Sequence, residues 1–131
     1  MTSGMQRESI LLVDDDLDIR KFARIFLEIA GYAVITAADG EQALRLYEEH
    51  SSNILLIVTD VLMPNINGFE LADRVLGIDS QMPILFMSGD PSSGYRGLEH
   101  LVKPLRPAEL VEGVRRVLNG HAHSKGAATG S

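Results

Sequence analysis

Apolar and polar residues follow one another along this chain in blocks of two kinds. The first kind is a short apolar run that stops at a polar residue, and the clearest example is residues 54–58, followed by Thr59 and Asp60. A run rich in Ile, Leu and Val is typical of a strand that is buried on both faces, as in a parallel sheet. Runs of the same kind predict four more strands, at residues 10–13, 33–37, 83–87 and 101–102.

The second kind of block has apolar residues every three or four positions, which predicts amphipathic helices. The first predicted helix covers residues 17–30. A second opens at Asp39, where a Gln three positions later resembles a capping box, and a third opens at Asn67 with a Glu at that spacing. The last runs from about Pro107 to Asn119-Gly120. Because strands and helices alternate, the pattern predicts an α/β fold with a doubly wound parallel sheet and right-handed crossovers.

Length and composition describe a single globular domain. The chain has 131 residues, of which 45% are hydrophobic and 23% are charged. A chain of this size can bury a substantial core. The polar start and the small, polar end are typical of segments outside a fold. We therefore expect a flexible leader at residues 1–8, a folded domain at residues 9–119 and a flexible tail at residues 120–131.

Charge and residue content exclude several classes of function. The net charge is −6 and no basic cluster interrupts it, which argues against binding to nucleic acid. No apolar run approaches the length of a membrane span, and the start of the chain has no apolar signal core. The absence of cysteine excludes disulfides, a thiol nucleophile and a cysteine-based metal site. We expect a cytoplasmic protein that binds neither nucleic acid nor membranes.

Polar residues with complementary chemistry stand at the ends of the predicted strands. Asp14 and Asp15 follow the first strand, Asp60 the third, Ser88 the fourth and Lys103 the fifth. Parallel strands have their carboxyl ends along one edge of the sheet, which is where open α/β sheets bind ligands. Each of these residues could instead do no more than cap its own strand.

Three carboxylates at one edge would repel each other strongly. At ~4 Å and an effective dielectric constant of about 20, each pair costs roughly 4 kcal/mol. A hard divalent cation and an ammonium group would relieve that repulsion. Mg²⁺ binds through one or two carboxylates, keeps several waters and is commonly also bound by phosphoryl oxygens. Acids, a hydroxyl and a lysine around such an ion indicate a site for phosphoryl chemistry.

Several motifs, in this order along the chain, are similar to those of the receiver domains of two-component response regulators. They are Ile10-Leu11-Leu12-Val13-Asp14-Asp15-Asp16, Gly31-Tyr32, Ala38-Asp39-Gly40, Thr59-Asp60-Val61-Leu62-Met63-Pro64 with Gly68, Met87-Ser88-Gly89, and Lys103-Pro104-Leu105. The resemblance covers about residues 8–119. Two stretches, Leu85-Phe86-Met87-Ser88-Gly89 and Leu101-Val102-Lys103-Pro104, resemble receivers of hybrid sensor histidine kinases. The resemblance implies a flavodoxin-like, five-stranded parallel sheet in the order 2-1-3-4-5.

The resemblance also implies a function for the acidic residues. Asp60 would be the phosphoacceptor, which takes a phosphoryl group from a sensor histidine kinase or a histidine phosphotransfer protein. Asp15 and Asp60 would bind Mg²⁺ directly, Asp14 would act through a water, and the backbone carbonyl of Leu62 would complete the site. Such a domain is a signalling switch, not an enzyme with a separate substrate, although it promotes its own phosphorylation and dephosphorylation.

Further roles follow from the same resemblance. Ser88 would donate a hydrogen bond to the phosphoryl group and Lys103 would pair with it. Because the phosphoryl group adds about −1.5 to −2 charges, Ser88 would be drawn toward it, and His100 occupies the position of the family's switch aromatic. Leu62 and Asp90 occupy two positions that tune dephosphorylation. An apolar Leu62 would hinder an attacking water and prolong the phosphorylated state.

The connection between the fourth and fifth strands departs from the family. Receivers have a full helix there, but this chain has only the ten residues 89–98, which include Pro91 and several Gly and Ser. A crossover that contains a helix needs about 10–12 residues or more. We therefore predict that the fourth helix is absent or reduced to one turn. Receivers commonly use this surface for output and dimerisation, so neither is assumed for this chain.

Three other functions fit part of the pattern. A Mg²⁺-dependent phosphatase-like enzyme would also use carboxylates at strand ends, but here Leu62 stands where a second acid two positions after Asp60 is needed. A phosphate-binding nucleotide fold would need a Gly-rich turn in place of Asp14-Asp15-Asp16. The runner-up is a pseudo-receiver, a protein-binding module that no longer accepts phosphate, and the shortened crossover is its best support.

Overall fold

The structure is a computed structural model that describes residues 8–89, 98 and 100–130, with only the backbone described for residues 121–130. Five strands and four α-helices are present in these ranges. They are β1 (Ser9–Val13), α1 (Leu17–Ile29), β2 (Ala33–Ala37), α2 (Gly40–His50), β3 (Ile54–Asp60), α3 (Gly68–Ile78), β4 (Ile84–Ser88), β5 (His100–Val102) and α4 (Pro107–Gly130).

The strands form one parallel sheet in the order β2-β1-β3-β4-β5. The predicted flavodoxin-like fold class is confirmed. β1 and β3 are adjacent at the centre, where Val13 pairs with Thr59. On the other side of β3, Asp60 pairs with Met87 of β4. The sheet therefore brings the carboxyl ends of its central strands side by side.

Successive residues of the strands face two separate hydrophobic clusters, because side chains alternate between the faces of a sheet. In β1, Leu11 and Val13 belong to the cluster beneath α2 and α3. Ile10 and Leu12 belong to the cluster beneath α1 and α4. A strand buried on both faces must be apolar at nearly every position, which explains the unbroken runs in the sequence.

Local hydrogen bonds fix where the helices begin. Asp16 caps α1 by accepting from the N–H groups of two residues in its first turn. The predicted capping box at Asn67 is complete. The box expected at Asp39 is only half formed: Asp39 accepts from the Gln42 N–H, but the Gln42 side chain accepts from the N–H of Ala38. These two hydrogen bonds nevertheless fix the turn between β2 and α2.

The last helix is longer than predicted. α4 begins at Pro107 as expected but continues to Gly130, so the helix end predicted at Asn119-Gly120 is wrong. Gly120 does not adopt the left-handed conformation with which a glycine ends a helix. Neither α4 nor any other helix within the described ranges is both long and apolar enough to cross a membrane.

The prediction of a short or absent fourth helix falls on residues that are not described. The flanking residues Gly89 and Leu98 are described and are not helical. The division of the chain at residues 8 and 119 also stays a prediction.

Candidate functional site

Three carboxylates from two neighbouring strand ends meet at one edge of the sheet. Asp14 and Asp15 follow β1, and Asp60 is the last residue of β3. One carboxylate oxygen from each lies within 4.8 Å of the others. Asp14 and Asp60 are buried, whereas Asp15 is exposed. The acidic cluster (Asp14, Asp15 and Asp60) therefore reaches solvent on the side of Asp15.

Asp14 is held by contacts to all of its polar atoms. Its Oδ1 accepts from the N–H of Asp16 at 2.9 Å, and its Oδ2 accepts from Lys103 Nζ at 2.9 Å. Its carbonyl oxygen accepts from Arg20 Nη1 at 2.7 Å, and its N–H donates to the carbonyl of Ala37 at 3.2 Å. The protein already uses both carboxylate oxygens of Asp14, so this side chain is fixed before any ligand arrives.

Lys103 joins the fifth strand to the acidic cluster. Its Nζ lies 2.9 Å from Asp14 Oδ2 and 3.3 Å from Asp60 Oδ1. Its own N–H donates to the carbonyl of Ser88 at 2.8 Å, and the peptide bond to Pro104 is cis. The ion pairs connect three different strand ends, which residues capping only their own strands would not do.

The electrostatics of the cluster show an excess of negative charge. Burial acts to lower the pKa of Lys103, but its hydrogen bonds and ion pairs with Asp14 and Asp60 outweigh this and raise it. The pKa of Asp60 is raised, first by burial and then by the charge of Asp14, and Lys103 offsets this only in part. One ammonium group does not neutralise three carboxylates. A hard divalent cation with oxygen ligands fits this donor set.

The backbone around Asp60 is tied to three neighbours. The carbonyl oxygen of Asp60 accepts from Thr59 Oγ1 at 2.9 Å. The N–H of Val61 donates to Met87 at 3.1 Å, and the carbonyl of Val61 accepts from Gly68 at 2.8 Å. The strand end and the start of the following loop are thus held against both β4 and α3.

Ser88 is buried at the end of β4, one position beyond the residue that pairs with Asp60. It lies on the strand adjacent to the acidic cluster, as the sequence predicted. Leu62 lies two residues beyond Asp60 and is 76% exposed. His100 is the first residue of β5, pairs with Phe86 and is partly exposed. Asp90 is outside the described residues.

Sequence reasoning missed one residue of the site, Arg20. Its guanidinium reaches back from α1 to the carbonyl of Asp14. No motif marks this contact, and the only signal was a basic residue within two helical turns of three consecutive acids.

Among the clefts formed by the described residues, two adjoin β5 or Lys103, which follows it. The smaller, of about 450 Å³, adjoins the acidic cluster and is lined by Asp16, Asp18, Ile19, Phe22, Lys103, Pro104 and Leu105. The larger, of about 550 Å³, lies between β5 and α4 and is lined by residues such as Val102 and Glu112, but not by Lys103. We consider the smaller cleft the relevant one because it includes Lys103.

Comparison with known sequences identifies related proteins. The family model for the response regulator receiver domain matches residues 10–115. The probable transcriptional regulator ycf27 of Porphyridium aerugineum is 39% identical over 121 residues, which are 87% of this chain and 49% of that protein. The two-component response regulator ARR11 of Arabidopsis thaliana is 34% identical over 108 residues, 77% of this chain and 20% of that protein. The chain spans about half the length of the ycf27 regulators that it matches.

Solved structures give the same result. The receiver domain of the hybrid histidine kinase CckA matches with a TM-score of 0.75 and 37% identity, covering 84% of this chain and 98% of that domain. The chemotaxis protein CheY4 of Vibrio cholerae matches with a TM-score of 0.74 and 34% identity, covering 85% of this chain and 98% of that protein. The resemblance to receivers, including one from a hybrid kinase, is confirmed.

Proposed function

The chain belongs to the response regulator receiver domain family, and from that premise we propose that it is a phosphoacceptor switch in a two-component phosphorelay. The observation that carries the proposal is the acidic cluster bridged by Lys103, whose Nζ pairs with both Asp14 and Asp60. Phosphoryl transfer depends mainly on positioning and charge stabilisation, and this site provides both.

Asp60 is the proposed phosphoacceptor. One of its carboxylate oxygens bonds to phosphorus as the bond from phosphorus to a histidine nitrogen of the donor breaks, and the imidazole keeps the electron pair. The product is an acyl phosphate. The ties on the backbone of Asp60 support this role, because a nucleophile must be held in line with the bond that breaks.

Mg²⁺ is the proposed ion, and it would neutralise charge on the phosphoryl oxygens. Asp15 and Asp60 would hold it directly, together with the carbonyl of Leu62. Asp14, whose two oxygens already accept from Asp16 and Lys103, would act through a water. The exposed position of Asp15 leaves a route by which the ion and its waters enter.

Lys103 and Ser88 are proposed to detect the phosphoryl group. Lys103 already lies 3.3 Å from Asp60 Oδ1 and can pair with an oxygen of the phosphoryl group there. Ser88, on the strand beside Asp60, would donate a hydrogen bond to it. The change of charge at Asp60 is a local event that such contacts convert into movement of β4 and β5. His100 at the start of β5 would move with them, and Asp90, which follows Gly89, would tune dephosphorylation together with Leu62.

The proposed phosphodonor is a sensor histidine kinase or a histidine phosphotransfer protein. The cleft beside Lys103 has an apolar side, formed by Phe22, Pro104 and Leu105, next to its acids. A helix that carries a phosphohistidine could pack there with its imidazole above Asp60. A cytoplasmic location stays a prediction.

One experiment separates the proposed receiver function from that of a pseudo-receiver and from that of a phosphatase-like enzyme. Wild type is incubated with Mg²⁺ and acetyl phosphate, and phosphorylation is followed by intact mass. The comparison variants are Asp60→Asn and, as a matched control on the exposed side of α3, Asp73→Asn. Label on wild type and Asp73→Asn, but not on Asp60→Asn, supports the receiver. No label on folded wild type favours the pseudo-receiver, and turnover of many donor molecules per protein favours a phosphatase-like enzyme.

A further inference from the structure

Gly40, the first residue of α2, packs against the loop that follows the acidic residue Asp60. This acceptor loop is residues 61–67. A Cβ built on Gly40 would lie 2.8 Å from Ile66 Cβ, 2.8 Å from the Ile66 carbonyl oxygen and 3.0 Å from Ile66 Cγ2. Real side chains essentially never approach this closely, so any residue larger than glycine at position 40 must move the loop or the helix.

The helix side of this contact cannot yield easily. The turn before Gly40 is fixed by the Gln42 side chain, which accepts from the Ala38 N–H at 2.8 Å, and by Asp39, which accepts from the Gln42 N–H at 2.8 Å. Ala37, the last residue of β2, accepts from the N–H of Asp14 at 3.2 Å through its carbonyl oxygen. The turn that leads into α2 is therefore hydrogen-bonded to Asp14, directly after β1.

The far end of the acceptor loop is closed just as tightly. Gly68 donates to the carbonyl of Val61 at 2.8 Å. A Cβ on Gly68 would overlap with the carbonyl oxygen of Asp60 and lie 2.9 Å from Val61 Cα. Between these contacts Asn65 has a φ of 69°, a left-handed conformation that Asn tolerates better than most residues. Ile66, which is buried, has little room to retreat from α2.

We infer that Gly40 is a positioning residue for the phosphoacceptor site, acting through Ile66 on the acceptor loop. The inference rests on the proposed function, in which this loop supplies the Leu62 carbonyl to the ion and directly follows the nucleophile. A Cβ at position 40 pushes Ile66 and displaces the Leu62 carbonyl relative to Asp60. α2 thus contributes to the site although none of its side chains belongs to the acidic cluster.

The test compares Gly40→Ala with Gly77→Ala. Gly77 also lies in a helix, and a Cβ there meets nothing within 4 Å. Amide chemical shifts of the metal-free proteins are recorded first. Gly40→Ala is expected to change the amide chemical shifts of residues 61–67, whereas Gly77→Ala should leave them unchanged. We then measure the Mg²⁺ affinity and the rate of phosphorylation by acetyl phosphate at saturating Mg²⁺. Because a misplacement of ~1 Å can cost about a hundredfold in rate, we expect Gly40→Ala to be at least about tenfold slower.

Ile66→Ala completes a double-mutant cycle. Ile66→Ala keeps the Cβ and the carbonyl oxygen that lie 2.8 Å from the new Cβ, but it removes the side chain that packs Ile66 into the core, and the space this leaves lets the loop retreat from α2. Gly40→Ala should therefore slow phosphorylation less in the Ile66→Ala background than in wild type. Additive effects would overturn the inference, because they would mean that Gly40 does not act through Ile66. If Gly40→Ala does not fold, Ile66→Ala alone decides: a slower rate and shifted loop amides support the inference, and wild-type behaviour overturns it.

The outcomes for the two claims are distinguishable. A wild type that accepts no phosphoryl group contradicts the proposed function. A wild type that is phosphorylated, with Gly40→Ala equal to Gly77→Ala in loop shifts, Mg²⁺ affinity and rate, overturns the role of Gly40 alone.

Discussion

Replacement of Lys103 by methionine tests the electrostatic balance of the acidic cluster. The ammonium group lies 2.9 Å from Asp14 Oδ2 and 3.3 Å from Asp60 Oδ1, and only a fifth of the side chain is exposed. With an effective dielectric constant of about 20, each pair corresponds to an attraction of roughly 5 kcal/mol before desolvation is subtracted. Loss of one partner of a buried pair typically costs about 3–5 kcal/mol. We therefore expect the metal-free Lys103→Met protein to lose about 3 kcal/mol of unfolding free energy.

Binding of Mg²⁺ should change in the opposite direction. The ammonium group repels the ion. Because the ion would lie on the exposed side of the cluster, at Asp15, we take the dielectric constant of water, about 80, and the repulsion between the doubly charged ion and the ammonium at ~5 Å is then roughly 1–2 kcal/mol. Lys103→Met should consequently bind Mg²⁺ about tenfold more tightly. Phosphorylation should nevertheless be slower by two orders of magnitude or more, as about 3 kcal/mol of transition-state stabilisation is lost.

Three measurements check this: urea unfolding without metal, calorimetric titration with Mg²⁺, and the initial rate of labelling by acetyl phosphate. Lys21→Met, at an exposed lysine of α1, is the matched control and should behave as wild type. A Lys103→Met protein of unchanged stability that binds Mg²⁺ no more tightly would refute the account of Lys103 as the counter-ion of Asp14 and Asp60.

Four other predictions follow from particular residues. Leu62→Asn should shorten the lifetime of the phosphorylated state, because an amide can orient the attacking water that Leu62 hinders; an unchanged decay rate measured by intact mass would count against that hypothesis. Gly68→Ala should lower both the midpoint of thermal unfolding and the labelling rate, because its Cβ would overlap with the carbonyl oxygen of Asp60; a variant as stable and as reactive as wild type would contradict this. Burial, with a smaller contribution from the charge of Asp79, raises the pKa of Tyr47 above its usual value of about 10. The unfolded state therefore ionises first, and stability that is present below about pH 10 is lost as the pH rises through the folded pKa. The unfolding free energy of Tyr47→Phe, measured by urea titration across this range, should lack this part of the decline; pH curves parallel to those of wild type would contradict it. Mg²⁺ at about a hundred times its Kd should stabilise the wild type by about 2.7 kcal/mol. Thermal melts should show that Asp15→Asn largely abolishes this stabilisation; equal stabilisation of both proteins would exclude Asp15 as a ligand.

The parallel sheet could be predicted because its requirements are visible in the sequence. A strand buried on both faces shows as an unbroken apolar run, as at residues 54–58. The polar residue that ends each run marks the sheet edge. Asp14, Asp15, Asp60 and Lys103 therefore came together in the structure as the positions of their strands required.

The features that could not be predicted depend on contacts between distant segments. The Gln42 side chain bonds to Ala38 instead of Asp39, a choice between two nearby N–H groups that the spacing alone does not decide. Nothing in the sequence marks the contact of Arg20 with Asp14 or that of Gly40 with Ile66, since both arise only when the helices pack on the sheet. The predicted end of α4 was wrong because a glycine such as Gly120 can stop a helix but does not do so here.

The carboxylate of Asp60 is the proposed acceptor of the phosphoryl group, on which every other role in the site depends. The most direct measurement is to treat the protein with acetyl phosphate and Mg²⁺, reduce the acyl phosphate with borohydride and sequence the peptides by tandem mass spectrometry. Reduction is expected to convert residue 60 to homoserine only when both Mg²⁺ and the phosphodonor are present. Homoserine at another aspartate, or unmodified Asp60 in folded protein under these conditions, would contradict it.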